Sequence, residues 1–410
     1  MTAPAVHFLP DELPARPALK KGLRVIRRDE LTLQLGVDPQ RAVVFAAPST
    51  RVALLVEHLD GRAELGTLAR RHELSPATVR QTVRDLLEAG VLEGAPSPSR
   101  ARAARLMTSR ALVDSGPSAR TVRRAEGAVA EQTRRLEPDL AAWSLLESAP
   151  DSGPRERERR AATTVAVTGS GRLATAVTLL LASAGVGQLV AGADRAVRHS
   201  DRVATGLGAG DVGRPLRSGL RTRLAEIAPG TRLVGDPAPA ELVLVTDGGV
   251  DPEATRRLHI AGTAHLVLGV RETVGWVGPL VVPGRTSCLR CHQLSRVERD
   301  PGWALVADQL AAAARATVAL CAADSPVPGS PTGDRKIRGI GVGAPAVEAC
   351  DSVLATIVAA TAALHALTWL RGQVPPSVDG AVEFRLPDGS GRRRGFAVHP
   401  RCGCTDPAGT

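Results

Sequence analysis

The stretch "TTVAVTGSGRLATAVTLLLASAGVGQLVAGAD", residues 163–194, decides the fold. Val165 and Val167 sit in a short run of branched apolar residues that reads as a buried strand. Gly169 and Gly171 supply a tight turn, and "RLATAVTLLLAS" then continues without Gly or Pro, as a helix requires. "AGVG" turns the chain back into a second strand, "QLVA", which completes one strand–helix–strand unit. The series over Gly169, Gly171 and Ala174 has the form G-x-G-x-x-A. It lets backbone approach an anion and aims the free N–H groups of the helix start at it. Buried strand-to-helix turns also take glycine for steric reasons alone, so the turn by itself leaves nucleotide binding open. The unit repeats as "ELVLVTDGG", "PEATRRLHIAG" and "AHLVLGVRE", so the expected architecture is α/β, a parallel sheet with helices on both faces.

Composition limits what else the chain can be. With 410 residues and 43% apolar content it is long enough for more than one core. The start "MTAPAVHFLPDELPARP" lacks the basic-then-apolar order of a signal peptide, and no run of eighteen apolar residues is present, so no membrane role and a cytoplasmic location are expected. There thiols stay reduced, and closely paired cysteines read as metal ligands or catalytic groups rather than disulfides. The net charge of +10 invites a nucleic-acid partner. The arginines are spread along the chain, there is no tyrosine and only four phenylalanines occur, which leaves few platforms for stacked bases.

Residues 1–100 carry a different pattern. Three strand-like runs, "GLRVIRRD", "LTLQLGVD" and "AVVFAAP", precede three helical ones. In "SPATVRQTVRDLLEAG" Ser75 is the N-cap, Pro76 the first helical residue, and Val79, Val83, Leu86 and Leu87 share one face, with Gly90 as the stop. "VLEG" returns as a strand. This order predicts a winged-helix domain over 1–100, a helical linker over 101–160 with helices near 118–136 and 140–148, and the α/β domain over 161–410. Arg80 and Arg84 fall on the outer face of the third helix, where they would suit a major groove or an acidic peptide. A small sheet with a free edge beside that helix also suits strand addition by an extended peptide, with Val43, Phe45, Val79 and Val83 as candidate apolar contacts.

From residue 161 onward the motifs resemble the ThiF-type, ubiquitin-like-modifier-activating family. They are "GSGRLA", "AGVGQL" at Ala184–Leu189, "HSD" at His199–Asp201, "DVGRP" at Asp211–Pro215, "VTDGG" at Val245–Gly249 and "PGRTSCLRC" at Pro283–Cys291. The resemblance implies a zinc ion held by Cys288, Cys291, Cys402 and Cys404, since two close pairs of thiolates satisfy a tetrahedral structural site. The second pair is C-x-C, tighter than usual, which leaves His292 or His399 as possible substitutes for one thiolate. Cys321 and Cys350 lie in apolar patterns and read as core residues. For ATP and Mg2+ the resemblance implies Gly169, Gly171, Asp247 and an acid at the end of the second strand, where Ala193 stands with Asp194 beside it. An arginine is expected near "RVAT", where Arg202 is out of register, and a lysine falls on Leu216. Leucine cannot neutralise a triphosphate.

A fold that keeps its topology and zinc but lacks those charges reads as a scaffold. The fusion resembles the leader-peptide-binding partner of thiazole- and oxazole-forming systems, with a PqqD-like winged helix ahead of a ThiF-like domain. The resemblance extends over "LQLGVDPQRAVVF" and "PGRTSCLRCHQLSRVERDPGW". It implies a precursor leader peptide and a separate cyclodehydratase as partners, and a homodimer. Two other classes stay open: an active ThiF-like adenylyltransferase using Asp194, Asp247 and displaced arginines, and a DNA-binding regulator.

Overall fold

The computed structural model describes residues 13–94, 119–149, 151–191, 195–235, 239–246, 252–312 and 349–405. They divide into two compact units, one ending at Glu158 and one beginning at Arg159.

In the first unit a three-stranded antiparallel sheet, in the order β2 (Val25–Arg27), β3 (Thr32–Leu35), β4 (Val43–Ala46), leads into α1 (Thr50–Glu57), α2 (Leu65–Arg71) and α3 (Pro76–Glu88). A separate ribbon pairs β1 (Pro17–Leu19) with β5 (Leu92–Gly94). Period-two alternation sorts the sheet: Leu33 and Leu35 are fully buried, while Ile26, Gln34 and Val44 lie opposite one another on the other face. Ser75 caps α3 as the sequence predicts, its Oγ accepting from the Thr78 N–H at 3.0 Å. Val52, Leu55, Val56, Val79, Val83 and Leu86 form the core beneath. The segment expected to hold two short helices instead forms one long helix, α4 (Ala119–Ser144), which continues through Pro138. Leu136 and Leu140 are buried on either side of the proline, so packing outweighs the one hydrogen bond it removes. The Lys20 ammonium donates to the carbonyls of Ser144 and Glu147 at the end of that helix. The next helix, α5 (Ser152–Ala162), contains the unit boundary and covers residues that the sequence leaves as linker.

The second unit is built on one eight-stranded sheet in the order β13-β12-β11-β10-β9-β6-β7-β8. Its parallel half runs through β8 (Arg232–Val234), β7 (Gln188–Ala191), β6 (Thr164–Thr168), β9 (Leu242–Val245) and β10 (His265–Arg271). An antiparallel half follows through β11 (Val274–Val281), β12 (Gly380–Arg385) and β13 (Ser390–Gly395). Helices α6 (Arg172–Ser183), α7 (Leu216–Ile227) and α8 (Pro252–Ile260) belong to the parallel half, and α9 (Leu289–Arg299) follows β11. The apolar α10 (Ser352–Leu370) has the length and composition to cross a bilayer, but here it packs on α6 and on β10 and β11. Leu354, Ala355, Val358, Ala359 and Ala362 are wholly buried in that contact. Cys350 is half-buried in a bridge to Glu272 ahead of α10, not within the helical core that its sequence pattern predicts, and Cys321 lies outside the described residues.

Gly187, in the turn between α6 and β7, shows how closely the unit is packed. Its N–H donates to the Arg160 carbonyl at 2.9 Å, and a side chain there would overlap the backbone of Ala161. Gly187→Ala is therefore expected to lower stability by roughly 1–3 kcal/mol or more through overpacking. Gly210→Ala, where a methyl group meets open space, should stay within about 0.5 kcal/mol. Calorimetric melting of the two variants checks the contrast.

Candidate functional site

Two constellations in the second unit carry chemistry. The first is the cysteine cluster. Cys288 is the N-cap of α9 and Cys291 lies in its first turn, so both residues sit at the N-terminal end of one helix. Cys402 and Cys404 flank Gly403, whose φ of +70° is the left-handed conformation that lets both neighbours face one point. The Cys288 and Cys291 sulfurs are 3.8 Å apart, Cys288 to Cys402 is 3.5 Å and Cys291 to Cys404 is 3.4 Å. All four lie within 4.8 Å of one another. Four sulfurs at about 2.3 Å from a tetrahedral ion would be separated by roughly 3.8 Å, so the spacing fits a metal site of four thiolates.

Neither histidine replaces a thiolate. The His292 ring stacks on Phe396 with centroids 3.7 Å apart, and burial pushes its pKa down to about 3. The His399 Nε2 lies 3.0 Å from Glu298 Oε1, and its backbone N–H donates instead to the Cys291 sulfur at 3.3 Å. Ser287, ahead of the first ligand, is fixed by its N–H donating to Asp379 Oδ1 at 2.7 Å.

Without a metal, burial and the neighbouring sulfurs oppose ionisation of the second cysteine pair. Burial and the adjacent Cys288 and Cys291 push Cys402 up to about 12 and raise Cys404 as well. Hydrogen bonds from the His399 and Cys288 backbones lower Cys291 against the opposing effect of burial. A divalent cation removes this conflict, and its binding displaces thiol protons.

The second constellation surrounds the glycine loop. Gly169 has a φ of +94°, and Gly171, the N-cap of α6, has open space where a side chain would project. Among the described residues, two nearby arginines are committed elsewhere. Arg195, which the sequence reading passes over, forms a buried bidentate pair with Asp201 at 2.6 and 2.8 Å. The same guanidinium donates to the hydroxyl and the carbonyl of Ser170, at 2.9 and 2.6 Å, fastening the loop from within. Arg172 donates to the Ser200 carbonyl at 2.8 Å and the Cys350 carbonyl at 2.7 Å. Leu216 is 1% exposed, and its N–H donates to the Arg195 carbonyl at 2.8 Å, so the position expected for lysine belongs to the core. Arg202 is exposed. Thr168 and Thr246 brace the ends of β6 and β9, Thr246 Oγ1 donating to the Thr168 carbonyl at 2.6 Å. Asp247 follows directly, but it lies outside the described residues, as do Ala193 and Asp194.

In the first unit the structure sorts the candidate peptide contacts. Val79 and Val83 are fully buried in the core and offer a ligand nothing. Val43 and Phe45 pack partly against the same core. Arg80 and Arg84 are exposed, Arg84 donating to Gln81 Oε1 at 2.9 Å. Val44, absent from the sequence-derived set, is 54% exposed on the face that holds Ile26, and β4 pairs only with β3 among the described residues.

No protein-family model and no curated protein matches the chain. Solved structures do match in fold. A crystal structure of E. coli MccB with ATP superposes with a TM-score of 0.60 at 11% identity, over 95% of this chain and 99% of that one. The microcin C7 biosynthetic enzyme MccB in complex with N-formylated MccA gives 0.60 at 12% identity, over the same shares. Selenomethionine PaaA gives 0.61 at 16% identity, over 92% of this chain and 99% of its own. The chain thus has the ThiF-like fold that its motifs predict.

Purified protein should carry about one equivalent of a tetrahedral metal, zinc by preference. Cys291→Ser should lose it, while Cys350→Ser should retain it. Because thiol protons must leave, affinity should fall as pH drops from 8 to 6, measured by competition with a chromogenic chelator. In the metal-free chain the sign reverses. The raised Cys402 pKa favours the neutral thiol, a contribution present below about pH 9 that shrinks as pH rises toward 12.

Proposed function

We propose that this chain binds a ribosomally made precursor peptide through its N-terminal unit and presents it to a separate cyclodehydratase, its ThiF-like unit serving as a zinc-stabilised scaffold. The observation that carries the reading is the buried Leu216 beside the Arg195–Asp201 pair. Phosphoryl transfer needs cations directed at the transferring group. Here one such position is apolar core, and the nearby guanidinium is neutralised by a carboxylate and hydrogen-bonded to the loop. Zinc fits the thiolate cluster as a structural ion: four cysteines fill a tetrahedral shell and leave no open position for substrate.

The N-terminal unit supplies the means of capture. Among the described residues β4 pairs only with β3, which suits strand addition at its other edge, and Val44 and Ile26 lie on the outward face. Arg80 and Arg84 give α3 a positive outer surface, which suits an acidic leader and would speed its approach. MccB, whose fold this chain shares, is crystallised with the peptide MccA, which favours a peptide partner over a nucleic acid. One observation favours an adenylating alternative: the Gly169–Gly171 turn keeps the open backbone form that suits a phosphate.

Fluorescence anisotropy of a labelled precursor peptide, encoded beside the gene, tests capture on the full chain. Saturable binding is expected. Arg80→Glu with Arg84→Glu should weaken it by about 10-fold at low salt and less at 0.5 M salt, because exposed charges are screened. Val44→Pro should also weaken it, without the salt dependence, because proline at the strand edge disturbs pairing. No binding by the parent chain, together with a salt-steep shift of a specific DNA duplex, would favour the regulator instead.

A further inference from the structure

One cleft of the C-terminal unit belongs neither to the thiolate coordination nor to the glycine loop. It lies between one face of β10–β13 and the helical residues 289–299 and 303–312, and its volume is about 690 Å3. That is the size of a site for a small ligand or a short peptide segment. Among the described residues five arginines and three carboxylates line it. The best placed of those carboxylates is already engaged, since Glu383 Oε2 lies 2.7 Å from Arg394 Nε and 3.5 Å from Arg385 Nη2.

Arg296 is left over. Its guanidinium lies 4.8 Å from the centre of the Trp303 ring, and no hydrogen bond or salt bridge reaches it among the described residues. Burial, and then the positive charges of Arg394, Arg299 and Arg271, lower its pKa against the single opposing effect of Glu383. The Trp303 indole Nε1 in the same wall is also buried without an acceptor among the described residues. Two donors without acceptors in one wall suit a ligand with acceptor oxygens, and a charged acceptor gains most from a guanidinium. Trp276 and Phe396 add aromatic surface to the cleft.

We propose that this cleft binds a carboxylate carried on an apolar or aromatic residue, the chemistry of an acidic peptide segment, with Arg296 and the Trp303 indole N–H as its donors. That the carboxylate arrives on the captured precursor rests on the function proposed above; the chemistry of the pocket does not.

Trp276 and Trp303 both line the cleft, so a full chain carrying Trp143→Phe and Trp369→Phe reports on it by fluorescence. N-acetyl-Phe-Glu is the probe, compared with N-acetyl-Phe-Gln and inorganic phosphate. The expected result is a saturable change with Phe-Glu, at least 10-fold weaker binding of Phe-Gln, and no displacement by phosphate at equal concentration. Arg296→Gln should weaken Phe-Glu at least 10-fold, and Arg296→Lys, which keeps the charge, should recover part of the loss; retained metal content certifies both folds. Absence of saturation, equal binding of Phe-Gln, or displacement by phosphate would overturn the proposal, and each is read without any change to the cleft itself. The precursor peptide should displace the dipeptide, and a version with its acidic residues amidated should not. If the intact precursor binds the chain yet leaves the dipeptide in place, the peptide source is lost.

Discussion

The four-sulfur closure is the constraint on which the C-terminal unit depends. It joins the start of α9 to the last described turn of the chain, across the segment that contains α10, β12 and β13. Within that segment α10 is held by its buried face, whereas the last strand has little apolar surface to hold it. β13 is almost wholly exposed and reads "SGRRRG", so it offers the sheet hydrogen bonds but no apolar side chain. Cross-linking a loop of about one hundred residues stabilises a fold by roughly 4–5 kcal/mol in the chain-entropy description. A metal held by four thiolates would supply such a link.

In the parallel half, the two arginines closest to the glycine loop, Arg172 and Arg195, are directed to internal partners. Arg195 is the clearest case: its guanidinium, beside the loop, is hydrogen-bonded to Asp201 and Ser170. Burying that pair is costly and returns stability only while both partners remain, so removing either one alone is strongly destabilising. Leu216 lies in the core beside it.

What the sequence reveals, and what it hides, follows from the range of each interaction. The strand–glycine–helix unit, the Ser75 cap and the two cysteine pairs are local patterns, and each is legible from neighbouring residues. The antiparallel strands escape such a reading because "VGWVGPLV" carries two glycines and a proline and "SGRRRG" has no apolar residue to alternate. Helix α4 is divided at Pro138 by local rules, and tertiary packing at Leu136 and Leu140 overrides them. The sulfur positions are legible, whereas the roles of His292 and His399 are not, because only the fold shows one against Phe396 and the other against Glu298. The Arg195 contacts to Ser170 and the Arg296 cleft join separate segments and leave no local signature.

Exchange of labelled pyrophosphate into ATP, measured with the full zinc-loaded chain, Mg2+ and saturating precursor peptide, tests most directly whether this fold captures a peptide without activating it. The expected result is background exchange, alongside peptide binding in the same tube and unchanged by ATP. Peptide-dependent exchange well above background would contradict the scaffold account, because it would require the glycine loop to hold a reacting triphosphate despite the committed Arg195 and the buried Leu216.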